Sequence, residues 1–142
     1  MNPSPIPDYI KDKIRQQANN RCGYCLSLQK YVLGLLEIEH IVPKAKGGSD
    51  DEHNLWLACR LSNGYKGRQT EAKDPETEQI VPLFNPRKQI WSEHFQWSQE
   101  GTQILGKTPC GRATVMALKL NNLIATTVRQ QWILAGWHPP KI

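Results

Sequence analysis

A chain of 142 residues with 18 basic and 13 acidic side chains, net +5, has length for one domain with a useful core and a small appended subdomain. The positive excess favours a polyanionic partner such as nucleic acid without demanding one, and no apolar run of roughly 18 residues is present to span a bilayer. The opening Met1-Asn-Pro-Ser-Pro-Ile-Pro7 lacks the basic start and apolar stretch of a signal peptide. A soluble, cytoplasmic protein is expected, in which the four cysteines read as metal ligands or buried thiols rather than as disulfides.

In chain order, Ile10 and Ile14 recur at helical spacing among Lys11, Asp12, Lys13 and Arg15, which predicts a short amphipathic helix ending near Asn19-Asn20. Cys22-Gly-Tyr-Cys25 reads as a tight turn, and the apolar piece 31–41 as ending in a strand through Leu36, Ile38 and Ile41, closed by Pro43. The segment 44–53, with Gly47-Gly48-Ser49-Asp50-Asp51, describes a loop of a length that is usually functional. Leu55–Ala58 reads as a second strand and 60–69 as a short helix weakened by Gly64 and Gly67. Past Thr70 the composition changes through the acidic, turn-forming Asp74-Pro-Glu-Thr-Glu78, and the domain boundary is placed between residues 73 and 74. The stretches 94–98 and 102–106 alternate as a hairpin would. Thr108-Pro109 opens a helix through Leu120, and a last helix covers 123–135, with Gly136 as its stop. The fold class is therefore α+β, with a core in 1–73 behind an N-terminal helix and a C-terminal subdomain of a β-hairpin and helices in 74–142 packed on that core.

The chemistry concentrates in Glu37-Ile-Glu39-His40-Ile-Val-Pro43, followed by Asn54 and then Asn63-Gly-Tyr-Lys66. A hard divalent ion such as magnesium takes oxygen donors and keeps several waters, so a carboxylate and an amide oxygen from adjacent elements suffice to hold it beside a phosphate. Glu39 and Asn63 suit those two places. A neutral imidazole accepts a proton from an attacking water near neutral pH, which suits His40.

The stretch from Glu37 to Lys66 resembles the HNH endonucleases, the ββα-metal class of nucleases, with His40, Asn54 and Asn63 at the motif positions. The resemblance covers 20–70 closely and the Trp-rich tail more loosely, in the manner of some bacterial HNH proteins. It implies a ββα-metal core and hydrolysis of phosphodiester bonds, of DNA rather than RNA, with double-stranded DNA as the partner. His40 is then the general base, Glu39 and Asn63 are the ligands of Mg2+ or Mn2+, and Asn54 braces the loop and orients the histidine. Glu37 becomes a candidate to support the ligands from behind.

Many HNH proteins also hold a structural zinc between two Cys-x-x-Cys knuckles. Cys22 and Cys25 match the first, but the second reads Cys59-Arg-Leu-Ser62, and a serine hydroxyl is a poor zinc ligand. Three outcomes stay open: a weakened zinc site of Cys22, Cys25 and Cys59 with water or another donor, recruitment of Cys110, or no metal at all. The lost cysteine lends some force to one competing reading, a nucleic-acid-binding module of the HNH fold that cleaves nothing, and counts against another, a zinc-knuckle interaction domain. Lys44, Lys46, Lys66, Arg68 and Lys73 surround the motif as candidate phosphate contacts, which would bind salt-sensitively and largely without regard to sequence. His53, His94 and His138 have no place in the pattern, and Trp56, Trp91, Trp97, Trp132 and Trp137 read as packing rather than as base-stacking platforms.

Overall fold

The computed structural model describes residues 6–141. The Pro-rich opening on which the signal-peptide reading rested lies largely outside them. After Arg68 the chain divides into two compact units.

The first unit begins with α1 (Asp8–Gln17), which carries Asp8 in its first turn and Arg15 in its last, as the helix dipole favours. It stops where Asn19 and Asn20 both take a left-handed φ of 54°. Strands β1 (Glu37–His40) and β2 (Leu55–Ala58) pair antiparallel, with Glu37 opposite Ala58 and His40 opposite Leu55. A two-stranded sheet is marginal by itself. Here Leu55 and Leu57 turn inward with Leu36 and meet Ile14 of α1 and its C-cap Ala18 in one buried cluster, each large aliphatic side chain contributing about 1.5–3 kcal/mol. Helix α2 (Arg60–Lys66) follows, capped by Cys59, whose sulfur accepts the Ser62 N–H at 3.3 Å. It ends at Gly67, where φ turns to +51°, rather than running on to Gln69 as the sequence reading had it. The Cys22–Cys25 turn is tied to the hairpin by the Gly23 N–H, which donates to the Leu57 carbonyl at 2.8 Å. Two strands and a helix in this order form a ββα core, and the α+β class holds.

In the second unit, β3 (Glu71–Lys73) pairs with β4 (Ile80–Pro82), a hairpin that the sequence does not predict. Three-residue strands without clear alternation leave no periodic signal. The acidic stretch between them is the turn itself: the Asp74 carboxylate accepts from the Glu76 N–H at 3.1 Å and from the Thr77 hydroxyl at 2.8 Å. Because β3 belongs to this hairpin, residues 69–73 fall with the second unit, whereas the sequence reading placed the boundary after Lys73. Arg112 grips Asp74 with two bonds of 2.9 Å and holds its carboxyl well below the usual carboxylate range.

One helical turn, α3 (Trp91–His94), leads into the antiparallel pair β5 (Phe95–Trp97) and β6 (Ile104–Gly106), close to the hairpin expected there. Helices α4 (Pro109–Ala117) and α5 (Leu123–Leu134) are capped by Thr108 and Asn122, whose side chains accept the Gly111 and Ala125 N–H groups. Trp91 packs with both Phe95 and Trp97, and Trp97 meets the His138 ring edge-on at 4.3 Å, so these tryptophans serve packing.

Candidate active site

His40 ends β1 with its side chain half-buried, and its Nε2 lies 2.7 Å from Asp50 Oδ1. The other Asp50 oxygen takes Lys44 Nζ at 3.0 Å. The bonds from His40 and Lys44 hold the Asp50 carboxyl below its ordinary value. Sequence reasoning passed over Asp50, whose only signal was an acid within the glycine-rich loop between His40 and Asn54.

Asn54 is buried and fastens that loop from within. Its Oδ1 accepts the Val42 N–H at 2.9 Å, and its Nδ2 donates to the carbonyls of Val42 at 3.0 Å and Ser49 at 2.8 Å. The loop folds so closely on itself that a Cβ at Gly48 would run into the Val42 carbonyl. Among the described residues no hydrogen bond joins Asn54 to His40 directly; it acts on the loop backbone.

Glu39 and Asn63, paired by the sequence reading around one ion, are not brought into contact with each other. The Asn63 Nδ2 donates instead to the exposed Glu37 carboxylate at 2.9 Å. Glu39 is 1% exposed, with Lys66 Nζ at 2.9 Å and the Tyr24 hydroxyl donating to its two oxygens at 2.7 and 2.8 Å. Burial pushes the Glu39 carboxyl up, against the pull of Lys66 and Tyr24. Burial, followed by the Glu39 charge, raises the Tyr24 phenol in turn. Lys66 is 2% exposed and also donates to the carbonyls of His40 and Ile41 at 3.1 Å each. This corrects the reading of Lys66 as a phosphate contact: it lies three residues past Asn63, nearly one helical turn on, with its ammonium turned inward onto β1. Tyr24, inside the first knuckle, was missed because nothing in sequence links it to a glutamate on the next strand. Lys46 and Arg68 are exposed, while the Lys44 ammonium is engaged by Asp50.

The sulfurs of Cys22, Cys25 and Cys59 all lie within 4.8 Å of one another. Backbone N–H groups of Tyr24 and Cys25 point at Cys22 Sγ from 3.4 and 3.5 Å. Burial pushes the Cys22 thiol up, whereas hydrogen bonds from Cys22 and Cys59 hold Cys25 well below the ordinary thiol value. The Ser62 hydroxyl stands 3.2 Å from Cys59 Sγ, in the place of a fourth sulfur. Cys110 belongs to the second unit, where its sulfur lies 4.0 Å from both Gln89 side-chain polar atoms, and it is not part of the group. Three convergent thiols make a site that can hold a soft or borderline metal ion.

A ββα frame with a histidine at the end of its first strand and an asparagine on its helix is the arrangement in which this segment resembles the HNH endonucleases. The HNH endonuclease family model matches residues 22–69, so the resemblance read from the sequence holds over that segment. The chain is also similar to the Septu protein PtuB of Bacillus thuringiensis, 31% identical over 120 residues that cover 81% of this chain and 42% of the relative. It thus spans about two-fifths of that relative's length. No solved structure shows a significant match. Among the described residues no helix is long and apolar enough to cross a membrane.

Proposed function

We propose that the protein is a cytoplasmic, metal-dependent endonuclease that hydrolyses phosphodiester bonds of double-stranded DNA. The observation that carries this reading is a half-buried imidazole at the end of β1, on the same short strand as a solvent-facing carboxylate that touches the helix asparagine. His40 accepts the proton of the attacking water. The exposed cations Lys46 and Arg68 draw in the DNA backbone. The oxygens of Glu37 and Asn63 fit a hard cation, since both reach solvent and the Asn63 Nδ2 bond to Glu37 leaves the amide oxygen as a donor. Magnesium or manganese bound there supplies stabilisation of the charge that develops on phosphate and leaving oxygen. Glu39, the ligand first expected from the sequence, is enclosed by Lys66 and Tyr24, which favours Glu37 for the carboxylate role.

The test is nicking of supercoiled plasmid with magnesium or manganese against an EDTA control. Glu37→Gln and Asn63→Ala are expected to weaken Mn2+ binding and to lower the nicking rate, each by about 10- to 100-fold. A Glu37→Gln protein with wild-type metal affinity would return the ligand role to Glu39. Failure of the folded protein to cut with either ion would leave a DNA-binding module of the HNH fold.

The three-cysteine group supports a structural zinc held by Cys22, Cys25 and Cys59, with Ser62 or a water in the fourth place. A hydroxyl does not ionise near neutrality as a thiol does, so zinc held this way is weaker than in a four-sulfur knuckle. Ser62→Cys is expected to raise the zinc content of the purified protein to one ion per chain. An unchanged metal content would show that the knuckle geometry does not hold zinc.

A further inference from the structure

His40 raises a question that the general-base reading leaves open, namely which ring nitrogen takes the proton and what holds the ring. The nearest polar group to Nε2 is a carboxylate oxygen at 2.7 Å, and among the described residues Nδ1 has no hydrogen-bond partner. A carboxylate only accepts, so a neutral His40 facing Asp50 must carry its hydrogen on Nε2 and keep the lone pair on Nδ1. Asp50 is anionic at neutral pH, its carboxyl held low by His40 and Lys44.

The loop is built to keep Asp50 in place. The Asn54 amide grips the Ser49 carbonyl at 2.8 Å, and the Asn54 N–H donates to the Asp51 carbonyl at 2.8 Å, so the backbone is pinned on both sides of Asp50. The Ser49 hydroxyl adds a bond from the Asp51 N–H at 3.2 Å. Lys44, one residue after the proline that closes the strand, clamps the second carboxylate oxygen at 3.0 Å. Among the described groups, Asp50 bonds the ring of His40 directly and Lys44 bonds Asp50, while the buried Glu39 carboxylate, paired with Lys66, also feels the His40 charge.

We infer that Asp50 is a positioning residue for the nuclease reaction. It holds His40 as the Nε2–H tautomer, aims Nδ1 at the attacking water and stabilises the imidazolium that forms when Nδ1 takes the water's proton. Asn54 then acts on the histidine at second hand, by fixing Asp50. The inference rests on the nuclease reading for its catalytic consequence, though not for the ring's tautomer. The balance is simple: Nδ1 gains the proton, the water oxygen attacks phosphorus, and the Nε2 hydrogen stays on nitrogen, shared with a carboxylate that remains ionised.

Two readouts test it. The first is the pair of ring nitrogen shifts of His40 by NMR at about pH 8.5, where ordinary imidazoles are neutral, with the signal assigned through His40→Ala. The wild type is expected to show a single Nε2–H form and Asp50→Ala two partly averaged nitrogens. Asp51→Ala, which removes the same charge one residue further on, is expected to leave the wild-type pattern. The second is plasmid nicking, where Asp50→Ala is expected to lower kcat by about 10²-fold with KM near the wild-type value. An averaged ring in the wild type, a ring unchanged by Asp50→Ala, or a kcat that survives the substitution would each overturn the assignment. A wild-type protein that cuts no DNA would instead overturn the nuclease reading, whatever its ring shows.

Discussion

His40→Ala is expected to abolish nicking, lowering the rate by about 10²- to 10⁴-fold, while the variant folds as the wild type does. The structure makes the two halves of this expectation separable. The only side-chain bond of His40 among the described residues runs to Asp50 on an exposed loop, and Asp50 keeps Lys44 as a partner when the ring is gone. The His40 carbonyl, which Lys66 holds at 3.1 Å, belongs to the backbone and survives truncation to alanine. Stability should therefore change by less than about 1 kcal/mol, as for surface substitutions away from core features. The measurement is the nicking rate under magnesium and under manganese, with urea unfolding of the same preparation. Wild-type cutting by the variant would remove His40 from the chemistry and with it the central step of the proposed mechanism.

What the sequence made legible follows from the range of the interactions involved. The hairpin and helix that carry His40 and Asn63 are marked by local signals, a strand run closed by Pro43 and an apolar second strand, and these elements formed where expected. The side-chain partners are not local. Whether Glu37 or Glu39 faces solvent depends on what packs beside β1, and the deciding groups, Tyr24 and Lys66, lie 15 and 27 residues from Glu39 in the chain. A strand alternation rule places both glutamates on one face and cannot separate them. The same limit hid Asp50, which has the composition of any polar loop residue until the Asn54 bonds fix the loop around it. In the second unit, the β3–β4 hairpin was invisible because its strands are too short for periodicity. Helices α4 and α5 were legible because Thr108-Pro109 at the start of one and Gly136 at the stop of the other are terminus signals in themselves.

The second large effect is expected at Lys66, and it separates a structural lysine from a phosphate-binding one. With side-chain exposures of 3% for Lys66 and 1% for Glu39, the pair is shut away from water. Removing one partner leaves the other charge buried and uncompensated, a change that costs about 3–5 kcal/mol. Lys66→Met should therefore move the urea midpoint strongly, far more than removal of a solvated phosphate contact would. The pH dependence has a definite sign. Burial already raises the Glu39 carboxyl above its ordinary value, and loss of Lys66 removes the largest opposing influence. A carboxyl with a raised folded value favours the fold when protonated, so the destabilisation is greatest at neutral pH and shrinks as pH falls below that raised value. Pairing the change with Glu39→Gln removes the orphaned charge, so the double variant is expected to be more stable than Lys66→Met at neutral pH and to lose the acid recovery. Urea unfolding of the wild type, both single variants and the double variant at two pH values decides the matter. If Lys66→Met unfolds like the wild type, Lys66 is not held by Glu39 in solution. Glu39 would then be released toward the metal and Lys66 toward the phosphate, the two roles their burial now argues against.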